Sequence, residues 1–226
     1  MPRIIKEFSV RRNEILASAQ KLIYTRGFEQ MTIQNILDEL QISKGAFYHY
    51  FDSKQALLEA LIERMTRESE QIVLPIVNDP QMPALEKFKT FFSVSAKWKL
   101  ERKAFFLELL RVWYKDENLM VRHKLRAAGM KSFAPLLQTI IQQGIQEGFL
   151  NARYPEMAAK LLISMGDDLG DSVSVLILAP EPEIEKLPQL TAIINAYSDA
   201  FERIIGAPTG SLQLLAPEHI KEWMTD

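Results

Sequence analysis

Five residues along one short segment, Lys44, Gly45, Ala46, Tyr48 and His49, combine side chains that could bind nucleic acid. A lysine supplies a cation for a phosphate or a guanine, whereas glycine and alanine allow the backbone to approach base edges. The tyrosine hydroxyl and the histidine imidazole can donate hydrogen bonds to phosphate oxygens, which fix the register of a protein on a duplex. The pattern therefore predicts a surface that contacts double-stranded DNA.

Three flanking residues, Thr32, Ser43 and Lys54, stand where helix N-termini are predicted. Free N–H groups and the helix dipole favour an anion at such positions, so we expect phosphate contacts there. Gln34 lies in the first turn of the helix that Thr32 opens and could reach a base. The alternative interpretation is that Thr32 and Ser43 only cap their helices and that Gln34 faces solvent.

The contact residues require two short helices joined by a tight turn. The first follows Thr32 and carries apolar residues with helical spacing, the turn contains Gln41, and the second is expected over 44–50 with Phe47 and Phe51 directed inward. This is the form of a helix-turn-helix, in which the second helix enters the major groove. An ordinary corner of a helical protein would account for the aromatic residues but leaves the exposed Lys-Gly-Ala run without a role.

The rest of the chain also has helical periodicity, and the fold class that it predicts is all-α. Gly27 is a C-terminal stop for the first helix, and a capping box of Asp52 with Gln55 is expected to open the fourth. Proline is expected to end that helix after residue 74 and to kink a later one at Pro135. Helices are predicted over 8–26, 84–100, 102–115, 117–147, 155–179 and 188–205, with a last turn within 217–224.

Composition narrows the function classes. The 226 residues contain no cysteine, which excludes disulfides and thiolate metal sites, and the three histidines are far apart in sequence, so neither a metal nor a cofactor is expected. No apolar run is long enough for a signal peptide or a membrane span, and a cytoplasmic protein is expected. The net charge is −2, but the first 54 residues carry eight Lys and Arg against six Asp and Glu. This asymmetry is too mild to decide anything alone.

The stretch Ile15 to Leu61 resembles the N-terminal domain of the TetR family of transcription regulators. The most specific part is Ser43–Lys54, similar to the family's small–Lys–Gly–small–aromatic–Tyr run followed by Phe-x-Ser-Lys, and Gln142–Leu162 is a weaker match. Two features depart from the family pattern. Gln41 stands in the turn where glycine is common, and His49 precedes Tyr50 where the family usually has the reverse order.

The resemblance implies a homodimer with an N-terminal three-helix DNA-binding domain (1–53) and a larger helical regulatory domain (54–226) that binds an effector and dimerises. It implies a repressor that a small molecule releases from a near-palindromic operator, with recognition helices about one DNA turn apart (~34 Å). It also implies that the last two long helices pair with those of a partner, and their broad apolar faces support an interface formed by Met157, Leu161, Met165, Leu190, Ile194, Tyr197 and Phe201.

A partly apolar effector pocket is the second functional expectation, because aromatic residues are concentrated between residues 88 and 114. For each of these residues the alternative is an ordinary core position. Tryptophan and tyrosine are the better pocket candidates because a buried N–H or O–H needs a partner. The predicted lining is Trp98, Phe105, Leu109, Trp113, Tyr114, Phe133, Leu137 and Asp168.

Two other functions remain open at this point. Asp167, Asp168 and Asp171 have the DDxxD spacing with which all-α prenyl-diphosphate enzymes chelate Mg²⁺, although no second acidic motif accompanies them. The same carboxylates could instead line a pocket or a dimer interface. A helical adaptor that binds only protein is the third interpretation, and it predicts no affinity for any duplex. The regulator is the favoured one, and no enzymatic activity is expected.

Overall fold

The computed structural model describes residues 8–214 and 221–223, and this part of the chain contains helices and no strand. The all-α fold class predicted from the sequence is therefore confirmed. The helices are α1 (Phe8–Arg26), α2 (Ile33–Leu40), α3 (Lys44–Tyr48), α4 (Lys54–Asn78), α5 (Ala84–Leu100), α6 (Lys103–Trp113), α7 (Leu119–Gln146), α8 (Pro155–Leu178) and α9 (Glu183–Ile205), with a 3₁₀ turn at Asp116–Asn118.

One compact unit contains α1 to α3 together with part of the chain that follows much later. Its described residues are 8–65 and 104–125, so α6 from Ala104 onwards and the start of α7 belong to it. Within this unit α1 packs against α2, and α2 packs against α3. The side chains of Ile15, Ile23 and Phe47 are fully buried there. The compact unit is thus larger than the predicted domain 1–53, because it also contains residues 54–65 and the distant segment 104–125.

The second unit comprises the described residues among 66–103 and 126–226. In it α8 packs against α9. The core is rich in aromatic rings, with Phe91 edge-on to Phe133 at 6.2 Å and Phe92 edge-on to Phe201 at 5.7 Å between ring centroids. Such edge-to-face pairs stabilise a core beyond the area they bury.

Two buried charged side chains of the second unit bond to backbone groups at or just beyond the end of a helix. Lys87 is buried and donates to the carbonyl of Val77 at 2.7 Å, where a cation also suits the C-terminal dipole of α4. Glu202 on α9 accepts hydrogen bonds from the backbone N–H groups of Gly210 at 2.9 Å and Leu212 at 2.7 Å. That carboxylate holds the segment after α9 against the helix.

Three predicted helix boundaries were wrong. The Asp52 cap is replaced by Ser53, whose Oγ accepts from the N–H of Ala56 at 3.0 Å. Two prolines expected at helix ends lie inside helices: Pro75 in α4, which continues to Asn78, and Pro188 in α9, which begins at Glu183. Pro135 lies inside α7, as expected, and the kink predicted there stays a prediction. All three prolines are exposed, so water can satisfy the carbonyl that each leaves without a helical donor. Of the predicted turn within 217–224, residues 221–223 are helical and the others lie outside the described residues.

None of the helices among the described residues combines the length and the apolar character that a membrane span requires.

Two glycines of α7 offer a matched test of this packing. An ideal Cβ at Gly144 would lie 2.5 Å from Cδ1 of the buried Leu150, whereas a Cβ at Gly129 meets nothing within 4 Å. We expect Gly144→Ala to lower the free energy of unfolding by about 1–3 kcal/mol through overpacking. Gly129→Ala should leave it unchanged or raise it by up to about 1 kcal/mol, because alanine is the better helix former.

Urea denaturation followed by circular dichroism measures both variants. Equal stability of the two proteins would contradict the packing of Gly144 against Leu150.

Candidate nucleic-acid interface

A reciprocal cap fixes the start of α2. The Oγ1 of Thr32 accepts from the N–H of Asn35 at 3.1 Å, and the Oδ1 of Asn35 accepts from the N–H of Thr32 at 3.0 Å. Two backbone donors that the helix leaves unpaired are satisfied in this way. Capping by Thr32 is confirmed, and its side chain remains exposed.

The turn between α2 and α3 adopts a left-handed conformation at a residue that is not glycine. Gln41 has φ 52° and ψ 47°, and it is the one positive-φ residue other than glycine among those described. The Nε2 of Gln41 donates to the carbonyl of Asp38 at 2.6 Å, and the backbone N–H of Ile42 donates to the carbonyl of Leu37 at 3.0 Å. These bonds hold the turn in which Gln41 stands where glycine is common in the family pattern.

Helix α3 is short and is held in place by aromatic burial. Phe47 has no accessible surface, and its ring lies 5.9 Å from that of Phe51, which is also buried. At the other end, Ser43 Oγ accepts from the N–H of Ala46 at 3.2 Å, which confirms the predicted cap. The helix ends at Tyr48, earlier than the expected residue 50, although the N–H of His49 still donates to the carbonyl of Gly45.

The burial of Phe47 turns the opposite face of α3 to solvent. Lys44, Gly45 and His49 are exposed, and Tyr48 is 41% exposed. The ammonium of Lys44 lies 6.0 Å from the centroid of the Tyr48 ring. An added Cβ at Gly45 would meet only the Oγ of Ser43, at 4.0 Å, so the surface over this residue is open. Ala46 is half-buried at the edge of the face.

An aromatic contact that the sequence analysis did not identify lies at the C-terminal end of α3. The ring of Phe8 meets that of His49 edge-on at 5.6 Å and lies 4.7 Å from that of Tyr50. Phe8 is the first residue of α1 and remains 52% exposed. Phe8 is in phase with the apolar face of α1, seven residues before Ile15, so the sequence pattern gave no signal that its ring would be half exposed beside His49.

Lys54 and Gln34 have protein partners on this surface. The ammonium of Lys54 donates to the carbonyl of Glu29 at 3.1 Å and lies 4.4 Å from the ring centroid of Phe28. Lys54 is the first residue of α4, where the helix dipole disfavours a positive charge. The carbonyl of Glu29 and the ring of Phe28 stabilise the ammonium there. Gln34 is exposed and donates to Asp38 at 2.7 Å. The DNA contacts of both residues stay predictions.

Residues 104–125 brace the helix-turn-helix within the same unit. Glu29 pairs with Lys115, and Gln55 donates to the buried Asn118 at 2.8 Å. Asn118 in turn donates to the carbonyl of Val112 at 2.7 Å. Beside these contacts lies a polar recess of about 400 Å³, bounded by residues 24–30 of the first helix and its turn and by Glu108, Arg111 and Val112.

The predicted effector-pocket residues are divided between the two units. Phe105, Leu109, Trp113 and Tyr114 belong to the first, whereas Trp98, Phe133, Leu137 and Asp168 belong to the second. Leu137 has no accessible surface and lies in the core of the second unit. The ligand contacts of all eight residues stay predictions.

The predicted dimer interface is corrected at three positions. Leu190, Ile194 and Phe201 are buried in the core of one chain, so they have almost no surface to offer a partner. In contrast, Met157 is 47% and Leu161 is 52% exposed on α8, and Met165 and Tyr197 are half-buried.

The three aspartates of α8 have protein surroundings that do not favour a diphosphate site. Asp171 forms an ion pair with Arg126, and Asp168 accepts a hydrogen bond from the hydroxyl of Tyr197. That hydrogen bond, and to a lesser extent burial, raises the pKa of Tyr197. Among the residues covered by the structure, no cluster of three or more His, Cys, Asp or Glu could hold a metal ion.

Two family models match the chain. Residues 15–61 match "Bacterial regulatory proteins, tetR family", and residues 107–172 match "Tetracyclin repressor-like, C-terminal domain". Together they cover half of the sequence, and the first includes all of α2 and α3.

Curated relatives match mainly the helix-turn-helix. The chain is 42% identical over 53 residues to the HTH-type transcriptional repressor NemR of Escherichia coli K12, which is 24% of this chain and 27% of NemR. It is 31% identical over 87 residues to the HTH-type transcriptional regulator EthR of Mycolicibacterium smegmatis, 37% of this chain and 40% of EthR. The matches thus span less than half of the length of these relatives.

Solved structures match over most of the chain. A TetR-family regulator from Pectobacterium atrosepticum has a TM-score of 0.67 at 18% identity, covering 91% of this chain and 100% of that protein. Such a likeness establishes the fold and extends it beyond the helix-turn-helix.

The left-handed turn gives a stability test at residue 41. Gln41→Gly relieves the steric cost of φ 52°, whereas Gln41→Ala retains it, and both variants lose the side-chain bond to Asp38. We expect the glycine variant to be more stable than the alanine variant by about 1 kcal/mol. Thermal unfolding of the two proteins measures the difference. A more stable alanine variant would be incompatible with this backbone conformation.

Proposed function

Because this chain belongs to the TetR family of bacterial regulatory proteins, we propose that it is a ligand-responsive, DNA-binding transcription regulator. The observation that carries the proposal is the docking of α3 by Phe47, which leaves Lys44, Gly45 and Tyr48 on an open surface. A short helix with small residues and a cation on its free face suits the major groove, which is about 12 Å wide.

Each exposed residue has a distinct role in this proposal. Gly45 and Ala46 let the backbone of α3 approach the base edges, and Lys44 contacts a guanine or a phosphate. Tyr48 and His49 donate to phosphates, and Thr32, Ser43 and Lys54 add contacts at helix N-termini. Gln34 reaches a base from the first turn of α2.

We further propose that the protein is a homodimer that represses transcription and that a small-molecule effector releases it from DNA. NemR, whose helix-turn-helix is similar, is named a repressor, which favours this sign of regulation. The effector weakens DNA binding only by its differential affinity for two shapes of the dimer, typically worth 1–3 kcal/mol. The proposal includes a cytoplasmic location, since the DNA lies there, and requires neither a cofactor nor an enzymatic reaction.

The dimer interface of the proposal uses the exposed faces of α8 and α9. Met157 and Leu161 offer apolar surface on α8, and the small residues Ala192 and Ala196 are exposed on α9. Two-fold symmetry brings each of these positions into the interface twice. It also places the two α3 helices so that they read half-sites of a near-palindromic operator.

Selection of bound sequences from randomised duplex DNA tests the proposed function. The regulator should enrich one near-palindromic sequence with half-sites about 10 base pairs apart, centre to centre. A protein that enriches no sequence, and that binds no duplex even at low salt, would support the protein-binding adaptor instead.

Two substitutions on α3 test the DNA-contact surface. Lys44→Ala should lower the affinity for the selected duplex at least about tenfold. It should also reduce the steepness of log affinity against log salt by about one, which is the contribution of one phosphate contact. Gly45→Ala should also lower affinity at least about tenfold, although it fits the fold, because the new methyl group stands between the backbone and the bases.

Lys89→Ala is the matched control, since it removes one exposed lysine from α5 in the other unit. Fluorescence anisotropy at several salt concentrations measures all three variants. If Lys44→Ala and Gly45→Ala bind as tightly as the Lys89→Ala control, α3 is not the contact surface.

The interface has its own test. Leu161→Glu places a charge on the exposed face of α8, and we expect the dimer dissociation constant to rise at least about tenfold with the fold unchanged. Met120→Glu is the control, because Met120 is also exposed, at 62% against 52% for Leu161, but lies in the other unit. Sedimentation velocity distinguishes the two. A Leu161→Glu protein that stays dimeric would place the interface elsewhere.

A further inference from the structure

Three aromatic rings meet where α3 ends. The ring of Phe8, the first residue of α1, lies 5.6 Å from that of His49 and 4.7 Å from that of Tyr50, between ring centroids. The rings of His49 and Tyr50 lie 5.1 Å apart. Each ring therefore contacts the other two, and these three residues form the ring cluster.

Hydrogen bonds fix the backbone on which His49 stands. The N–H of His49 donates to the carbonyl of Gly45 at 3.1 Å. The N–H groups of Tyr50 and Phe51 both donate to the carbonyl of Phe47, at 2.9 and 3.1 Å. With the main chain held on both sides, only the side-chain torsions of His49 remain to set the direction of its imidazole.

The position of Phe8 is set by the face of α1 that it shares with Arg12. The guanidinium of Arg12 lies 5.2 Å from the ring centroid of Phe51. Side chains four residues apart are neighbours on a helix surface, so the two contacts belong to one face of α1. This face follows the chain from His49 to Phe51, and the contact of Phe8 is part of it.

Rings, rather than polar groups, hold the imidazole of His49. It meets the rings of Phe8 and Tyr50 edge to face, with interplanar angles of 82° and 80°. Such contacts are directional, because an aromatic ring has a negative face and a positive edge. Within the part of the chain that the structure describes, the imidazole has no hydrogen-bond or ion-pair partner, and it is exposed. Both ring nitrogens are thus left for a group from outside these residues.

Restricting an exposed side chain in advance affects binding. His49 is exposed and Tyr50 is half-buried, so the outer position of this pair carries an imidazole. An unrestricted side chain loses rotational freedom when a ligand orders it, and that loss weakens binding. A side chain that its neighbours already restrict loses less.

We propose that Phe8 is a positioning residue for DNA binding: together with Tyr50 it orients the imidazole of His49 toward a phosphate of the DNA backbone. Phe8 acts through His49 and makes no phosphate contact of its own. The inference rests on the proposed function, because it assigns a second residue to the DNA contact of His49.

A double-mutant cycle of Phe8→Leu and His49→Ala tests whether Phe8 acts through His49. Fluorescence anisotropy of the full chain with the selected duplex measures the affinities. Phe8→Leu keeps an apolar side chain but removes the ring, and it should lower the affinity about two- to tenfold, the range for ordering one side chain. His49→Ala should lower the affinity at least as much. The double variant should bind no more weakly than His49→Ala alone, because the two effects are coupled.

Two further variants separate positioning from a general effect on the fold. Phe8→Tyr restores a ring and should bind within about twofold of the original protein. Tyr24→Leu is the matched control, because it removes an exposed ring from the same helix, roughly 24 Å away along the axis, and it should leave the affinity unchanged. Circular dichroism checks that each variant is folded.

The ring cluster can also be observed without DNA. The chain has three histidines, so the proton resonances of the His49 imidazole can be assigned by their loss in His49→Ala. Because an aromatic ring shifts the resonances of nearby protons, these signals should move in Phe8→Leu and stay in place in Tyr24→Leu. Signals of His49 that do not move in Phe8→Leu would contradict the ring cluster.

The outcomes distinguish the inference from the proposed function. Losses of affinity that multiply in the double variant would overturn the positioning role and leave the regulator intact. The same conclusion follows if Phe8→Leu binds as tightly as Tyr24→Leu, or if Phe8→Tyr binds as weakly as Phe8→Leu. A selection that yields no bound duplex would remove the regulator and the positioning role together.

Discussion

The burial of Phe47 is the interaction on which the proposed DNA-binding surface depends. A helix of five residues is not stable alone, since nucleation costs more than so few hydrogen bonds return. α3 therefore exists because Phe47 and Phe51 bury their rings in the first unit and because Ser43 caps its start. The rotation of the helix about its axis follows from the direction of Phe47, and that rotation decides which residues meet solvent.

Other contacts hold the segments on either side of α3 in place. The left-handed Gln41 sets the direction in which the chain leaves α2, and Phe8 packs on the ring of His49 at the other end of α3. Residues 104–125 belong to the same compact unit, and the bond from Gln55 to Asn118 ties them to the start of α4. The compact unit that carries the proposed DNA-binding surface is thus built from two separate parts of the sequence.

Local chemistry was predictable from the sequence, whereas burial by distant elements was not. The caps at Thr32 and Ser43 and the special turn at Gln41 depend on residues within a few positions, and the sequence analysis identified all three. The burial of Leu190, Ile194 and Phe201 depends on which helices lie against α9. Periodicity indicates an apolar face but does not tell whether the same chain or a partner covers it.

The same distinction explains the other corrections. Exposed prolines remain inside α4 and α9, where solvent can satisfy the freed carbonyls, and exposure is not visible in a one-dimensional pattern. The DDxxD spacing drew attention to Asp167 for a chemistry that its surroundings do not favour.

Methylation interference on the selected duplex tests most directly whether α3 reads the major groove. Methylation of guanine N7 alters the major groove, whereas methylation of adenine N3 alters the minor groove. The account predicts that N7 methylation blocks binding at two clusters about one helical turn apart, related by two-fold symmetry. Interference confined to adenine N3, or absent from both grooves, would contradict it.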